Sequence, residues 1–355
     1  MEFADLSRYM DIKDPIIPLF RDLKKIPPVL MTQYLSLVPD AENLDYAKKL
    51  AADRLTVVPI RRIPPVNDYI NRESFPRRIL FEMTSRCNYL CRMCPQHGLK
   101  RPRMDMPGGL YRRVIDEIDS HGVEGLWLYH LGESLLHPEF SDNLAHISTK
   151  KNLGILWMST NGQYFFEDKI MDVLKSNLTY VNFSAHAVSE KTYKTVVPDG
   201  DFNAVQKNLA AFYKIKGSVG LPRQPYMHCQ MIEQETTRHE VDAFIVKHYK
   251  YAEIVSINML EYVNLPNNAF GLRQRQRKPL TSCSRVSRND CFIFSNGDVT
   301  LCDAAFNAEI KLGNVKDNTL YEIWNSDERK KILGLNRSGK MYDMDFCRSC
   351  TDYDI

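Results

Sequence analysis

From Arg78 onward, short apolar runs alternate with longer amphipathic stretches. The runs RILFE (78–82), GLWLYH (125–130), GILWMS (154–159), YVNFS (180–184), YMHCQMI (226–232) and EIVSINML (253–260) read as strands. Between them lie helix-length segments such as LYRRVIDEIDS and DFNAVQKNLAAFYKIK. Strand–helix alternation implies right-handed crossovers and a parallel sheet covered by helices. The six units therefore predict an α/β fold, a partial (β/α)6 barrel. In parallel α/β folds ligands gather at the carboxyl ends of strands, so chemistry is expected just after each run.

The flanking regions read differently. Asp40 can cap a helix through NLDYAKKLAADRL, with Leu44, Ala47, Ala51 and Leu55 on one face, and Pro27, Pro28, Pro64 and Pro65 separate it from its surroundings. Residues 1–75 are thus expected to form a helical N-terminal extension, and residues 76–272 the barrel. After LRQRQRKPLTSC, the segment CFIFSNGDVTLC reads as a hairpin turning at Asn296-Gly297, and NTLYEIWNSDERKKIL as a short helix. Residues 273–355 are expected to form a small second domain that does not rely on an apolar core.

Composition changes the picture only through cysteine. The 355 residues are 44% hydrophobic and 26% charged with a formal charge of +3, which is ordinary for a soluble protein and gives no sign of a nucleic-acid partner. No apolar run is long enough to span a membrane, and the start lacks the pattern of a secretion signal, so the expected location is the cytoplasm. Nine cysteines in a reducing compartment point to metal or catalysis instead of disulfides.

Three of them lie in TSRCNYLCRMCPQ, directly after the first strand. The C-x3-C-x2-C spacing directs the thiols of Cys87, Cys91 and Cys94 to one point, and thiolates are soft ligands for zinc or iron–sulfur clusters. Zinc would ask for a fourth ligand, for which His97 is available. Three thiolates instead leave one iron of a 4Fe–4S cluster open to bind a substrate, and the spacing and position favour this alternative. The loop resembles the signature of the radical S-adenosylmethionine (SAM) superfamily, and residues 78–260 resemble that family's partial barrel. HLGESLLHPEF resembles the family's Gly-Gly-Glu-Pro segment, which implies that Gly132 and Glu133 hold the SAM amino group. Leu131 and Ser134 depart from it, as does Met93, where the family has an aromatic residue. MSTNGQYF resembles the family's Thr-Asn-Gly segment and implies that Thr160 and Asn161 line the SAM pocket, with Ser184 and His186 touching its carboxylate or ribose.

A second set comprises Cys283, Cys302 and the C-x2-C pair Cys347 and Cys350. Four thiolates close a site, as either an iron–sulfur cluster or tetrahedral zinc, and spacing alone leaves both open. The pattern is similar to the SPASM auxiliary-cluster domain of radical SAM enzymes and to its shortened form, Twitch, and GNVKDNTLYEIWNS resembles the segment between that domain's cysteine pairs. The resemblance implies one auxiliary 4Fe–4S cluster beside the SAM-binding one. Cys291 fits an apolar strand position better than a ligand position. Cys229 shares a strand face with Met227 and Met231, while His228 and Gln230 take the opposite face towards the barrel interior. Arg273, Arg275, Arg277 and Lys278 read as a solvated linker, and His130 and His137 flank Glu133 as candidate proton acceptors.

The activity implied is reductive cleavage of SAM to a 5′-deoxyadenosyl radical, with flavodoxin or ferredoxin as reductant, followed by hydrogen abstraction. A small polar substrate such as a sugar or aminocyclitol would be oxidised at a carbinol carbon, with the second cluster taking the electron. This resembles the Twitch-bearing alcohol dehydrogenases. The competing expectations are a peptide maturase, a radical epimerase using Cys229, and a zinc-stabilised binding module.

Overall fold

Six parallel strands follow the expected order. In a computed structural model that describes residues 16–20, 74–221, 224–248, 251–259, 281–348 and 350, they are β2 (Arg78–Phe81), β3 (Gly125–Leu128), β4 (Ile155–Thr160), β5 (Tyr180–Ser184), β6 (Tyr226–Glu233) and β7 (Ile254–Met259). Each pairs in parallel with the next. The period of two sorts the strand residues into two faces. Phe81, Leu128, Met158, Val181, Phe183, Met227, Cys229 and Val255 are on the face that joins the main hydrophobic core. Trp157, Ser159, Asn182, His228, Gln230 and Ser256 occupy the alternate positions.

The helices close that core. α1 (Gly108–His121) presents Tyr111, Val114, Ile115 and Ile118 to the sheet and ends at Gly122, whose φ of 76° suits glycine. Full burial of each aliphatic side chain contributes roughly 1.5–3 kcal/mol. None of the helices among the described residues is long and apolar enough to cross a membrane.

The C-terminal region extends the same sheet. β8 (Asp290–Ile293) pairs in parallel with β2, and β9 (Asp298–Thr300) and β10 (Lys311–Asn314) follow antiparallel. The expected turn is present at Asn296-Gly297, where Gly297 has φ 90° and a Cβ would meet Asn314 Oδ1 at 2.5 Å. This region does rely on apolar packing, contrary to expectation. Leu312, Leu320, Ile323, Trp324, Ile332 and Met341 are buried in one core continuous with that of the barrel. The expected single helix is broken into α2 (Leu320–Trp324) and α3 (Asp327–Arg337). Ser326 caps the second helix by accepting from Arg329 N–H, and the Asn325 side chain turns back to Ser74 and Tyr321 carbonyls.

At the opposite edge, β1 (Ile16–Phe20) pairs antiparallel with β7. The segment expected to be helical therefore contributes a strand, and its Pro18 is tolerated because β1 is the last strand of the sheet. The expected helix through residues 43–55 and the basic run at 273–278 lie outside the described residues.

Candidate active site

The cysteine loop leaves β2 and is held by backbone contacts from several directions. Arg92 N–H donates to Val196 O (2.9 Å), Leu90 N–H to the Asp199 carboxylate (3.2 Å), and Cys94 N–H to Cys91 O (2.9 Å). Cys87, Cys91 and Cys94 are free, half-buried thiols. Burial pushes the Cys87 thiol up to about 12, and the charges of Glu133 and Cys94 add to the effect. Cys91 is raised by burial and then by Cys94 and Cys87, so the three thiols feel one another. Packing thiols this way is unfavourable for thiolates unless a cationic centre joins them, and a soft iron–sulfur cluster suits such a donor set. His97 is exposed, with its Nε2 3.2 Å from Cys91 O. Met93 is buried in the core.

The loop after β3 is stitched onto the start of the cysteine loop. A Cβ on Gly132 would stand 1.9 Å from Thr84 O, so only glycine allows the approach. Glu133 N–H donates to Arg86 O (2.9 Å), and Gln96 Nε2 bridges Ser85 O (3.1 Å) and Leu131 O (3.0 Å). Ser134, the departure from the family pattern, is buried and donates its hydroxyl to Leu128 O (2.9 Å). It thereby closes the end of β3 and lets Leu135 N–H turn to Glu133 Oε1 (3.2 Å).

Glu133 gathers the sequence-predicted residues around itself. Thr160 Oγ1 donates to its Oε1 (2.8 Å) and Asn161 N–H to its Oε2 (2.7 Å), while Asn161 Nδ2 reaches Asn88 Oδ1 on the cysteine loop (2.9 Å). The carboxyl is 2% exposed, and burial raises it to about 7 although three neutral donors oppose the shift. Ser184 ends β5 and His186 lies just after it. His186 adopts φ 57°, its backbone N–H donates to Gln230 O (3.1 Å), and its Nδ1 is buried without a hydrogen-bond partner. Burial lowers its pKa to about 4.

Both candidate proton acceptors are occupied. His137 bonds Met106 O through Nε2 (2.9 Å) and receives Glu139 N–H at Nδ1 (3.0 Å). His130 contacts Glu82 Oε2 through Nδ1 (3.0 Å) and Asp303 O through Nε2 (3.2 Å). Glu82, which sequence reasoning passed over, is fully buried and also holds Arg101. A charged residue ending an apolar strand was the available signal.

In the C-terminal region, burial pushes the Cys347 thiol up to about 12, with the charges of Cys283 and Cys350 adding to the shift. Cys302 is half-buried at the end of the hairpin and packs on the same core. Cys291 is fully buried in β8 opposite Ile79, and burial raises its thiol. Cys229 is likewise buried on the apolar face, away from the interior. The alternate face carries a polar layer of two hydrogen-bonded groups. Asn182 Nδ2 donates to Ser159 Oγ (3.0 Å) and Gln230 Oε1 (2.5 Å), and His228 Nε2 meets Ser256 Oγ (2.7 Å).

Comparison with known proteins agrees with this geometry. Residues 81–227 match the model of the radical SAM superfamily, and residues 283–351 match SPASM, an iron–sulfur cluster-binding domain. The chain is 23% identical to the tungsten-containing aldehyde ferredoxin oxidoreductase cofactor-modifying protein of Pyrococcus furiosus, over 78% of this chain and 87% of that one. It is 21% identical to the S-adenosyl-L-methionine-dependent 2-deoxy-scyllo-inosamine dehydrogenase of Niallia circulans, over 77% and 92%. The structure of anSMEcpe with bound AdoMet shares the fold, with TM-score 0.57 at 15% identity over 79% of this chain and 89% of that one. The protein belongs to the radical SAM superfamily and carries a C-terminal SPASM iron–sulfur cluster-binding domain.

Proposed function

We propose that the protein is an oxidoreductase that oxidises a carbinol carbon of a small polar substrate, a sugar or aminocyclitol. Cys87, Cys91 and Cys94 would hold one 4Fe–4S cluster, and Cys283, Cys302, Cys347 and Cys350 a second. When bound, the clusters and SAM supply a 5′-deoxyadenosyl radical and a one-electron acceptor. The substrate loses a hydrogen atom from carbon, then a proton from its hydroxyl and one electron, and becomes a ketone.

The chain's own residues divide the remaining work. Gly132 lets the Glu133 loop lie against the cysteine loop, and the Glu133 carboxylate accepts the SAM ammonium. Thr160 and Asn161 orient that carboxylate, and Ser184 and His186 border the same strand ends. Exposed Arg92, Lys100 and Arg103 beside the first loop suit an anionic donor such as flavodoxin or ferredoxin.

The observation that carries the substrate class is the polar layer of Ser159, Asn182 and Gln230 beside His228 and Ser256. Hydroxyl and amide groups at several depths match a ring bearing several hydroxyl or amino groups, and the Niallia circulans relative is a dehydrogenase named for such a compound. Cys229 lies outside this layer, so it does not favour an epimerase.

Anaerobic purification tests the cofactor set. A brown protein with about eight irons per chain is expected, and Cys347→Ala should lose about half. A colourless protein containing zinc would overturn the reading. Carbinol-deuterated aminocyclitols with SAM and a reductant should give labelled 5′-deoxyadenosine and a ketone in equal amounts. Unlabelled 5′-deoxyadenosine with every such ring alcohol would reject the substrate class.

A further inference from the structure

The buried charges around Glu82 belong to neither cysteine site, and their contacts reach both regions. Glu82 follows β2 and is fully buried. Arg101, which follows the first cysteine loop, grips both carboxylate oxygens (2.6 and 2.5 Å). His130 Nδ1 lies 3.0 Å from Oε2, and Ser295 donates its N–H (3.1 Å) and hydroxyl (2.8 Å) to Oε1. The carboxylate is saturated by these partners.

The remaining side-chain nitrogens of its partners point the same way. Arg101 Nε donates to Phe306 O (2.6 Å), and His130 Nε2 meets Asp303 O (3.2 Å). Both carbonyls belong to the segment that follows Cys302. One carboxylate therefore sets the orientation of two side chains, from the first cysteine loop and from the end of β3, so that they grip the backbone beside the second site. An apolar junction would hold these regions together at lower desolvation cost, but it would not define direction and distance as these hydrogen bonds do.

We propose that Glu82, acting through Arg101 and His130, is a positioning residue that fixes the segment after Cys302 against the first cysteine loop. In an enzyme read as a two-cluster oxidoreductase, on which the functional side of this inference rests, that clamp sets the separation between the sites. The electron leaving the substrate, as its hydroxyl proton is lost and the ketone forms, must reach a four-iron cluster held there. Such transfer weakens steeply with distance.

The test uses the full chain purified anaerobically, as wild type, Glu82→Gln, His130→Phe and Arg101→Lys. His130→Phe keeps an aromatic ring against Phe294, where the imidazole now stacks at 5.1 Å, and removes only hydrogen bonds. It therefore serves if Glu82→Gln fails to fold. Amide exchange across residues 303–309 should accelerate about tenfold in His130→Phe and Arg101→Lys, with exchange in β4 and β5 unchanged. Iron content should hold, the magnetic coupling between the two reduced clusters should broaden, and 5′-deoxyadenosine formed per ketone should rise several-fold. Unaltered exchange at 303–309 in both variants would overturn the clamp. Finding one cluster or zinc would reject the two-cluster reading alone, since the exchange measurement decides the clamp without reference to metal.

Discussion

Glu82 and Glu133 are both glutamates at strand ends, one directly after β2 and the other in the loop after β3, and they are 0% and 2% exposed. Their surroundings differ in charge. Glu82 meets the Arg101 guanidinium and the His130 ring, whereas among the described residues Glu133 meets neutral donors, from Thr160, Asn161 and Leu135. Burial raises the pKa of both, but at Glu82 the hydrogen bonds from His130 and Arg101 outweigh it and hold the group down at about 2. At Glu133 the neutral donors do not outweigh it, and the group stays at about 7. A buried carboxylate whose counter-charge is already present holds structure. One that has its hydrogen bonds but no cation leaves a place for one, and the SAM ammonium is the cation proposed.

The sharpest way to break this contrast is to remove each charge. Glu82→Ala would leave the buried Arg101 guanidinium without its counter-charge and should cost about 3–5 kcal/mol in guanidinium unfolding of the SAM-free protein. Glu133→Gln should do the opposite at pH 8, stabilising the SAM-free protein by up to about 3 kcal/mol because the cost of a buried lone anion disappears. The same variant should weaken SAM binding roughly 10–100-fold by equilibrium dialysis. If Glu82→Ala were no more costly than Glu133→Gln, the assignment of the two roles would fall.

The pH dependence separates the pair without mutation. Glu82 has its folded pKa below the ordinary 4.5, so its stabilisation is complete above 4.5 and is lost as pH falls through about 2. Glu133 has its folded pKa above 4.5, so the folded state holds its proton more tightly, and stability falls as pH rises from about 4.5 to about 7. Unfolding measured across that upper window should show a decline of roughly 3 kcal/mol from this group, absent in Glu133→Gln and reduced when SAM is bound.

Legibility in the sequence followed the range of the interactions. The six parallel strands could be read because each run carries its own alternation, and the cysteine loop because its ligand spacing is local. Gly132, Glu133, Thr160 and Asn161 came from resemblance, and the structure brings Glu133, Thr160 and Asn161 into direct contact. β1 was missed because IIPLF has no alternation to distinguish it and its pairing depends on the free edge of β7. The break at Asn325 and Ser326 depends on a side chain reaching back to Ser74. The Glu82 network was hidden for the same reason, since its partners lie 19, 48 and 213 positions away.

The smallest effects expected come from a single neutral donor at each carboxylate. Thr160→Val keeps the shape of the side chain but removes the hydroxyl that donates to Glu133 Oε1 at 2.8 Å and accepts from Gly162 N–H at 3.0 Å. Ser295→Ala removes a matching hydroxyl, 2.8 Å from Glu82 Oε1. Each should cost the folded protein about 1 kcal/mol. Their functional consequences should differ, because Glu82 keeps the Arg101 guanidinium and the His130 ring when Ser295 is lost, whereas the donors to Glu133 among the described residues are neutral. Thr160→Val should therefore push the Glu133 carboxyl further up and weaken SAM binding roughly threefold to tenfold, with Thr160→Ser restoring it. Ser295→Ala should leave SAM affinity where it is. Equal effects of the two variants on SAM affinity would mean that the hydroxyls act by packing alone, and that the absence of a cation beside Glu133 is not what prepares it for a ligand.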